Sequence, residues 1–227
     1  MKKVFKIALL LAGAVTVSKM ANANTILDFE SPLPGGLVAM SYIQGTTVPS
    51  SSVVTNQYLD FGVSMENAAL ISPGVGHAAS GSNSLAGFNS NNQLDYDQSV
   101  KFNFFAPGGV LGTTDFFAYS GDLAGWSGNI VTISAFDLNG NFLGASSFTE
   151  NVQSLSHISI SGVGNFHSIV VDQTLYNTYS GGIAIDLVEF GTVSPVSAVP
   201  EPETYALMLV GLAVVGAASR RRKAISA

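Results

Sequence analysis

The stretch IVTISAFDLNGNFLGASSF, residues 130–148, decides the fold. Ile130–Asp137 is a short run rich in Val, Ile, Thr and Phe, the composition of a strand. Asp137-Leu138-Asn139-Gly140-Asn141 then breaks it. Asn-Gly favours the tight turn whose twist matches that of paired strands, so a hairpin is expected here, with Phe142–Phe148 as its second arm.

Working outward, the same kind of segment recurs on both sides. Thr25–Glu30 alternates, with Leu27 and Phe29 on one face and Ile26, Asp28 and Glu30 on the other. Tyr58–Met65, Ala68–Ser72, Val100–Phe105, Asp115–Tyr119, His157–Ser161, Ser168–Asp172 and Ile183–Phe190 read as further strands, bounded by Gly, Asn, Ser or Pro. No segment between residues 24 and 192 sustains a 3.6-residue apolar period. Ser31–Asn56 and Pro73–Asn83 read as irregular surface loops. The expectation is an all-β domain, a two-sheet antiparallel sandwich of jelly-roll type, over residues 24–192. No internal repeat is present.

Composition narrows the function. Between residues 24 and 199, Lys101 is the sole Lys or Arg, against thirteen carboxylates, a formal charge of −12. Nucleic-acid phosphates need Lys and Arg partners, so no nucleic-acid partner is expected. The acidity suits either a protein that meets divalent cations or a solvated surface that maintains solubility. The chain has no cysteine, so no disulfide supports it and the core, or a bound ion, carries the stability.

Both ends read as addresses. Lys2, Lys3 and Lys6 precede an apolar stretch from Ile7 to Val17, and Ala21 and Ala23 are the small residues a signal peptidase reads. Residues 1–23 are therefore expected to be a signal peptide cut after Ala23, the alternative being a retained anchor. At the other end, Val199-Pro200-Glu201-Pro202 lies in a Pro-rich linker, residues 193–203. An apolar segment, 204–219, and a basic tail, 220–227, follow. Excess cations stay cytoplasmic, so the tail predicts one short span with residues 24–200 outside.

This tail resembles the PEP-CTERM sorting signal of Gram-negative bacteria. The resemblance implies processing by an exosortase near the motif after transient residence in the inner membrane, with the mature protein secreted or placed on the cell surface. It also implies association with exopolysaccharide. The central domain is similar, more loosely, to carbohydrate-binding jelly rolls that hold calcium, through Asp28-Phe29-Glu30, Phe136-Asp137-Leu138-Asn139-Gly140 and Ile185-Asp186-Leu187-Val188-Glu189-Phe190. That resemblance implies pairing of the first and last strands and a structural calcium site built on Asp28, Glu30 and Asp186. The plainer reading leaves these acids facing solvent at a sheet edge. Asp95 and Asp97 form a second alternating acid pair.

For sugar contact the candidates are Trp126, the sole tryptophan, with Asp122 and Asn129 in the Gly-rich loop around it. An exposed indole gives a stacking surface, whereas a folded-back one caps the core. Tyr119, Tyr176 and Tyr179 are placed in or beside loops. Signals for catalysis are poor. His77, His157 and His167 lack zinc-ligand spacing, and no Gly-x-Ser-x-Gly elbow is present. The expectation is a non-catalytic polysaccharide-binding or structural component, with an exported polysaccharide hydrolase as the alternative.

Overall fold

The computed structural model describes residues 24–30, 32–73, 78–95, 97–123, 130–149, 155–174 and 183–196. The signal-peptide segment and the tail from residue 197 lie outside them. The strands are β1 (Thr25–Leu27), β2 (Met40–Ser41), β3 (Val53–Val54), β4 (Val63–Glu66), β5 (Ala68–Ser72), β6 (Ser84–Ala86) and β7 (Val100–Ala106). They continue with β8 (Val110–Leu123), β9 (Ile130–Phe136), β10 (Phe142–Thr149), β11 (Leu155–Phe166), β12 (Ser168–Thr174), β13 (Ile183–Phe190) and β14 (Ser194–Pro195). Among the described residues there is no α-helix, only 3-10 turns at Pro34–Gly36, Ser50–Ser52 and Leu59–Phe61.

The fold is all-β and mostly antiparallel, with β2–β5 the parallel exception. The two layers of the expected sandwich are not separate sheets, because the strands form one hydrogen-bonded network in the order β10-β9-β12-β7-β8-β13-β6-β5-β2. Its two arms meet at the β7–β8 hairpin, where Phe105 faces Leu111 and Ala106 faces Val110. Beyond those pairs β7 turns to β12 and β4, and β8 turns to β13 and β11.

Both arms contribute buried side chains to one apolar cluster. Phe102, Phe104, Ile133 and Ile169 come from one, and Phe117, Tyr119, Ile158 and Phe190 from the other. Phe104 is central: its ring centroid lies 6.2 Å from Phe117, 5.9 Å from Phe166 and 5.3 Å from Phe190. A smaller cluster of Met40, Val48, Ala69, Ile71, Leu94 and Ala184 packs separately and includes the β2 region within the expected Ser31–Asn56 loop.

The Asn139-Gly140 hairpin forms as expected. Gly140 has φ +79, and Asp137 caps the turn by accepting from the amides of Asn139 and Asn141 at 2.8 Å each. Other boundaries move. Tyr58 precedes a 3-10 turn, and its strand begins only at Val63, past Gly62 at φ +93. β1 stops at Leu27, because Phe29 takes φ +55 to bury its ring edge-on against Tyr58, centroids 5.5 Å apart. Tyr119, expected beside a loop, is fully buried in the core.

Truncating Phe104 to Ala removes three ring contacts from a site with no solvent access. A loss of about 3–5 kcal/mol is expected in urea unfolding. Phe142→Ala, at a ring 61% exposed, is expected to cost under about 1 kcal/mol.

Candidate functional site

Of the three acids singled out by the sequence, Glu30 and Asp186 bring their carboxylates, and Asp28 its main-chain carbonyl, to one corner, where β1 pairs antiparallel with β13. The segment Ser80–Asn83 lies across that corner. Local backbone features aim the carboxylates. Positive φ at Phe29 follows Asp28, whose Oδ1 accepts from the Glu30 amide at 3.2 Å. On β13, the register shifts between Asp186 and Glu189, with Leu187 at φ +41. Glu30 Oε1 accepts from the Ser82 and Asn83 amides at 2.7 and 2.8 Å. The Asn83 side chain donates to the Phe29 carbonyl at 3.0 Å.

Asp186 is fully buried. Its Oδ2 accepts from the Ser80 amide at 2.5 Å, and its Oδ1 from the Leu187 amide at 2.7 Å. The Ser80 hydroxyl lies 3.0–3.1 Å from both Asp186 oxygens and 3.0 Å from the Asp28 carbonyl, and its one proton serves one of them at a time. Burial pushes the Asp186 carboxyl above the usual range, and the negative Glu30 adds to that. The amides of Ser80 and Leu187 and the Ser80 hydroxyl pull the other way without cancelling it. Burial, reinforced by the charges on Asp28 and Glu30, pushes the Tyr58 phenol up to about 12. Its buried hydroxyl has no hydrogen-bond partner among the described residues.

Gly81 is required where it stands. Its φ is +42, and a Cβ there would sit 2.3 Å from the Glu30 carboxyl carbon. The corner is therefore a lock, with two carboxylates holding the main chain of one loop. Its oxygen atoms are of the type a hard cation prefers, but the carboxylates are already engaged by N–H and O–H donors. No group of three or more His, Cys, Asp or Glu side chains is placed to hold a metal ion among the described residues.

The remaining candidates disperse. The Asp122 main chain lies on β8, opposite Leu155 and Ala184. Trp126 and Asn129 lie outside the described residues, as do His77, Tyr176 and Tyr179. Asp95 caps a turn by accepting from the Asp97 amide at 3.3 Å and from the Gln98 side chain at 3.2 Å. His167 Nδ1 pairs with the Gly112 carbonyl at 2.8 Å. His157 Nδ1 lies 3.1 Å from Ser120 Oγ. Asp186 is the strand neighbour of that serine but turns to Ser80, so among the described residues no acid is shown orienting the imidazole.

Sequence reading missed Ser80, Ser82 and Asn83 as the donors. Their only signal is a Ser-Gly-Ser-Asn run inside an apparent loop. It also missed Glu66, whose Oε1 accepts from Lys101 at 3.1 Å and from Asn103 at 2.8 Å. Burial pushes that carboxyl up, but the hydrogen bonds from Asn103 and Lys101 outweigh it and hold it below the usual range.

Residues 198–223 match the family model of the PEP-CTERM protein-sorting motif. The motif makes the chain an exported protein, sorted by an exosortase at the cell envelope. No characterised protein sequence matches the chain. Among solved structures, the carbohydrate-binding module TmCBM61 in complex with β-1,4-galactotriose is similar at TM-score 0.30 and 14% identity, over 58% of this chain and 83% of that one. The cellulose-specific module CBM28 is similar at TM-score 0.26 and 12% identity, over 67% and 95%. The enzymatically active domain of tailspike protein 4 of bacteriophage CBA120 is similar at TM-score 0.33 and 14% identity over 62% of this chain, which spans 21% of the tailspike chain.

Removing the Asp186 carboxylate takes the acceptor from the half-buried Ser80 and Leu187 amides. Asp186→Ala is expected to lose about 2–4 kcal/mol in chemical denaturation. Gly81→Ala, which displaces Glu30, is expected to speed hydrogen exchange at the Ser82 and Asn83 amides. Unchanged exchange there would show that Glu30 does not hold the loop.

Proposed function

We propose that the protein is a surface or matrix component that binds exopolysaccharide without cleaving it, built on a jelly-roll-like sandwich and released to the cell surface or medium of a Gram-negative bacterium. On this reading residues 1–23 are removed by signal peptidase. The segment 204–219 then crosses the inner membrane with residues 220–227 in the cytoplasm until the exosortase acts. The observation that carries the reading is the sorting motif at residues 198–223, behind a domain almost free of cations.

The use made of the acids supports binding rather than catalysis. Glycoside cleavage takes two carboxylates facing one bond. Here Asp186, Glu30, Glu66 and Asp137 each accept hydrogen bonds that hold main chain or neighbouring side chains. Trp126 is the proposed stacking surface for a sugar ring, with Asp122 and Asn129 pairing to its hydroxyls. A structural calcium ion is part of the proposal, with Asp28, Glu30 and Asp186 as the side chains that would hold it once Glu30 and Asp186 release the Ser80–Asn83 donors they now engage. The ion would supply charge neutralisation where two carboxylates lie close together.

The test is a glycan array with residues 24–196, followed by calorimetry on the bound polysaccharide. Trp126→Ala is expected to weaken binding by about 1 kcal/mol, roughly fivefold in Kd, with no change in melting temperature. Binding unchanged by that substitution would remove Trp126 from the site. Release of reducing ends from the polysaccharide would establish the hydrolase instead.

Calcium is tested separately. Chelator is expected to lower the melting temperature and added calcium to restore it, as linkage requires for a ligand of the folded state. A curve indifferent to both would assign the corner to protein hydrogen bonds alone.

A further inference from the structure

The folded domain does not end where its last long strand ends. After β13, Val193 lies against Gly62 and Gly112, where a Cβ would come within 3.4 and 2.4 Å of its methyl groups. Ser194 and Pro195 then pair with Thr113 and Gly112 of β8, and the Val196 amide donates to the Leu111 carbonyl at 3.1 Å. The stretch expected to be a free linker from residue 193 is thus fastened to the β7–β8 hairpin through Val196. The sorting motif begins at residue 198. Pro200 is four residues past Val196, the last described residue, a reach of at most about 14 Å for extended chain.

That distance is short beside the domain itself, since about 170 residues fold with a radius of gyration near 15 Å. A catalytic cleft that closes on Pro200–Pro202 therefore comes with a protein body that meets the domain around Val196. The surface there suits such contact. Val110 and Leu111 are 51% and 49% exposed at the hairpin, and Val196 is 37% exposed beside them. Phe61, 50% exposed, lines an open groove of about 640 Å³ at the same end, together with Asp60, Phe105, Pro107, Thr192 and Val193. The domain's lone cation, Lys101, is elsewhere, paired with Glu66. The surface therefore has no cation of its own with which to attract anionic lipid, and an apolar protein partner is the occupant it fits.

We propose that this end of the domain, centred on Val110, Leu111 and Val196, is a docking surface for the membrane enzyme that processes the tail, and that β14 keeps Pro200 within about 14 Å of it. The inference rests on the reading of residues 198–223 as an exosortase substrate. It makes the folded domain part of what the enzyme recognises, rather than passive cargo.

The experiment follows processing of the full chain in an exosortase-bearing host, by pulse labelling and intact mass. Four versions are compared: wild type and Val110→Glu/Leu111→Glu, each at native spacing and each with a 20-residue Gly/Ser insert after Val196. At native spacing the double variant is expected to be processed roughly tenfold more slowly, as for the loss of two interface residues each well below hot-spot strength. With the insert, the two versions are expected to be processed at equal rates, because the enzyme then reaches the motif without touching the domain. Equal melting temperatures of the purified domains exclude misfolding. Equal rates at native spacing would overturn the proposal, as would a defect that the insert fails to relieve. Failure of the wild-type chain to be processed at all would instead overturn the reading of the tail.

Discussion

The ring of Phe104 is the contact on which the architecture depends. It comes from β7, and the rings it meets come from β8, β11 and β13 on the facing arm. Phe102, two residues earlier, reaches Phe117 across the same gap at 5.1 Å. With no disulfide available, these aromatic contacts and the aliphatic side chains around them hold the two arms face to face. The hairpin joining β7 to β8 sets the spacing at one end, and the phenylalanines fill it along the rest. Because each of these rings is fully buried, the stabilisation comes from apolar surface removed from water together with the preferred tilted and edge-on ring geometries.

Most of that was legible in the residues. The Asn-Gly turn at 139–140, the alternation of Leu27 with Phe29, and the runs at Val100, Ser168 and Ile183 all became paired strands or buried positions. Illegible were the features decided by distant partners. Ser84–Ala86 is a strand only because β5 and β13 flank it. Ser194–Pro195 looked like linker, since a proline in a two-residue strand carries no periodic signal. Tyr119 was misplaced because an aromatic beside Gly121 looks the same from sequence whether it caps a loop or fills a core.

The acid corner shows the same division. That Glu30 and Asp186 converge, with the Asp28 main chain beside them, followed from the expected pairing of the terminal strands. What they converge on did not, because the Ser80–Asn83 segment owes its position to hydrogen bonds from residues about fifty and a hundred positions away. Two carboxylates, one of them fully buried, are tolerable there because neighbouring amide and hydroxyl donors satisfy them. The cost appears as the raised affinity of Asp186 for a proton.

The place of Lys101 has a consequence for survival outside the cell. Between residues 24 and 199 it offers the only peptide bond that a protease of tryptic specificity can recognise. It lies within β7, whose main chain at that residue is paired with Glu66 of β4 on one side and Val170 of β12 on the other. A protease needs its substrate extended and unpaired, so cleavage there waits on the separation of three strands. The folded domain thereby keeps its one site for proteases of tryptic specificity out of their reach.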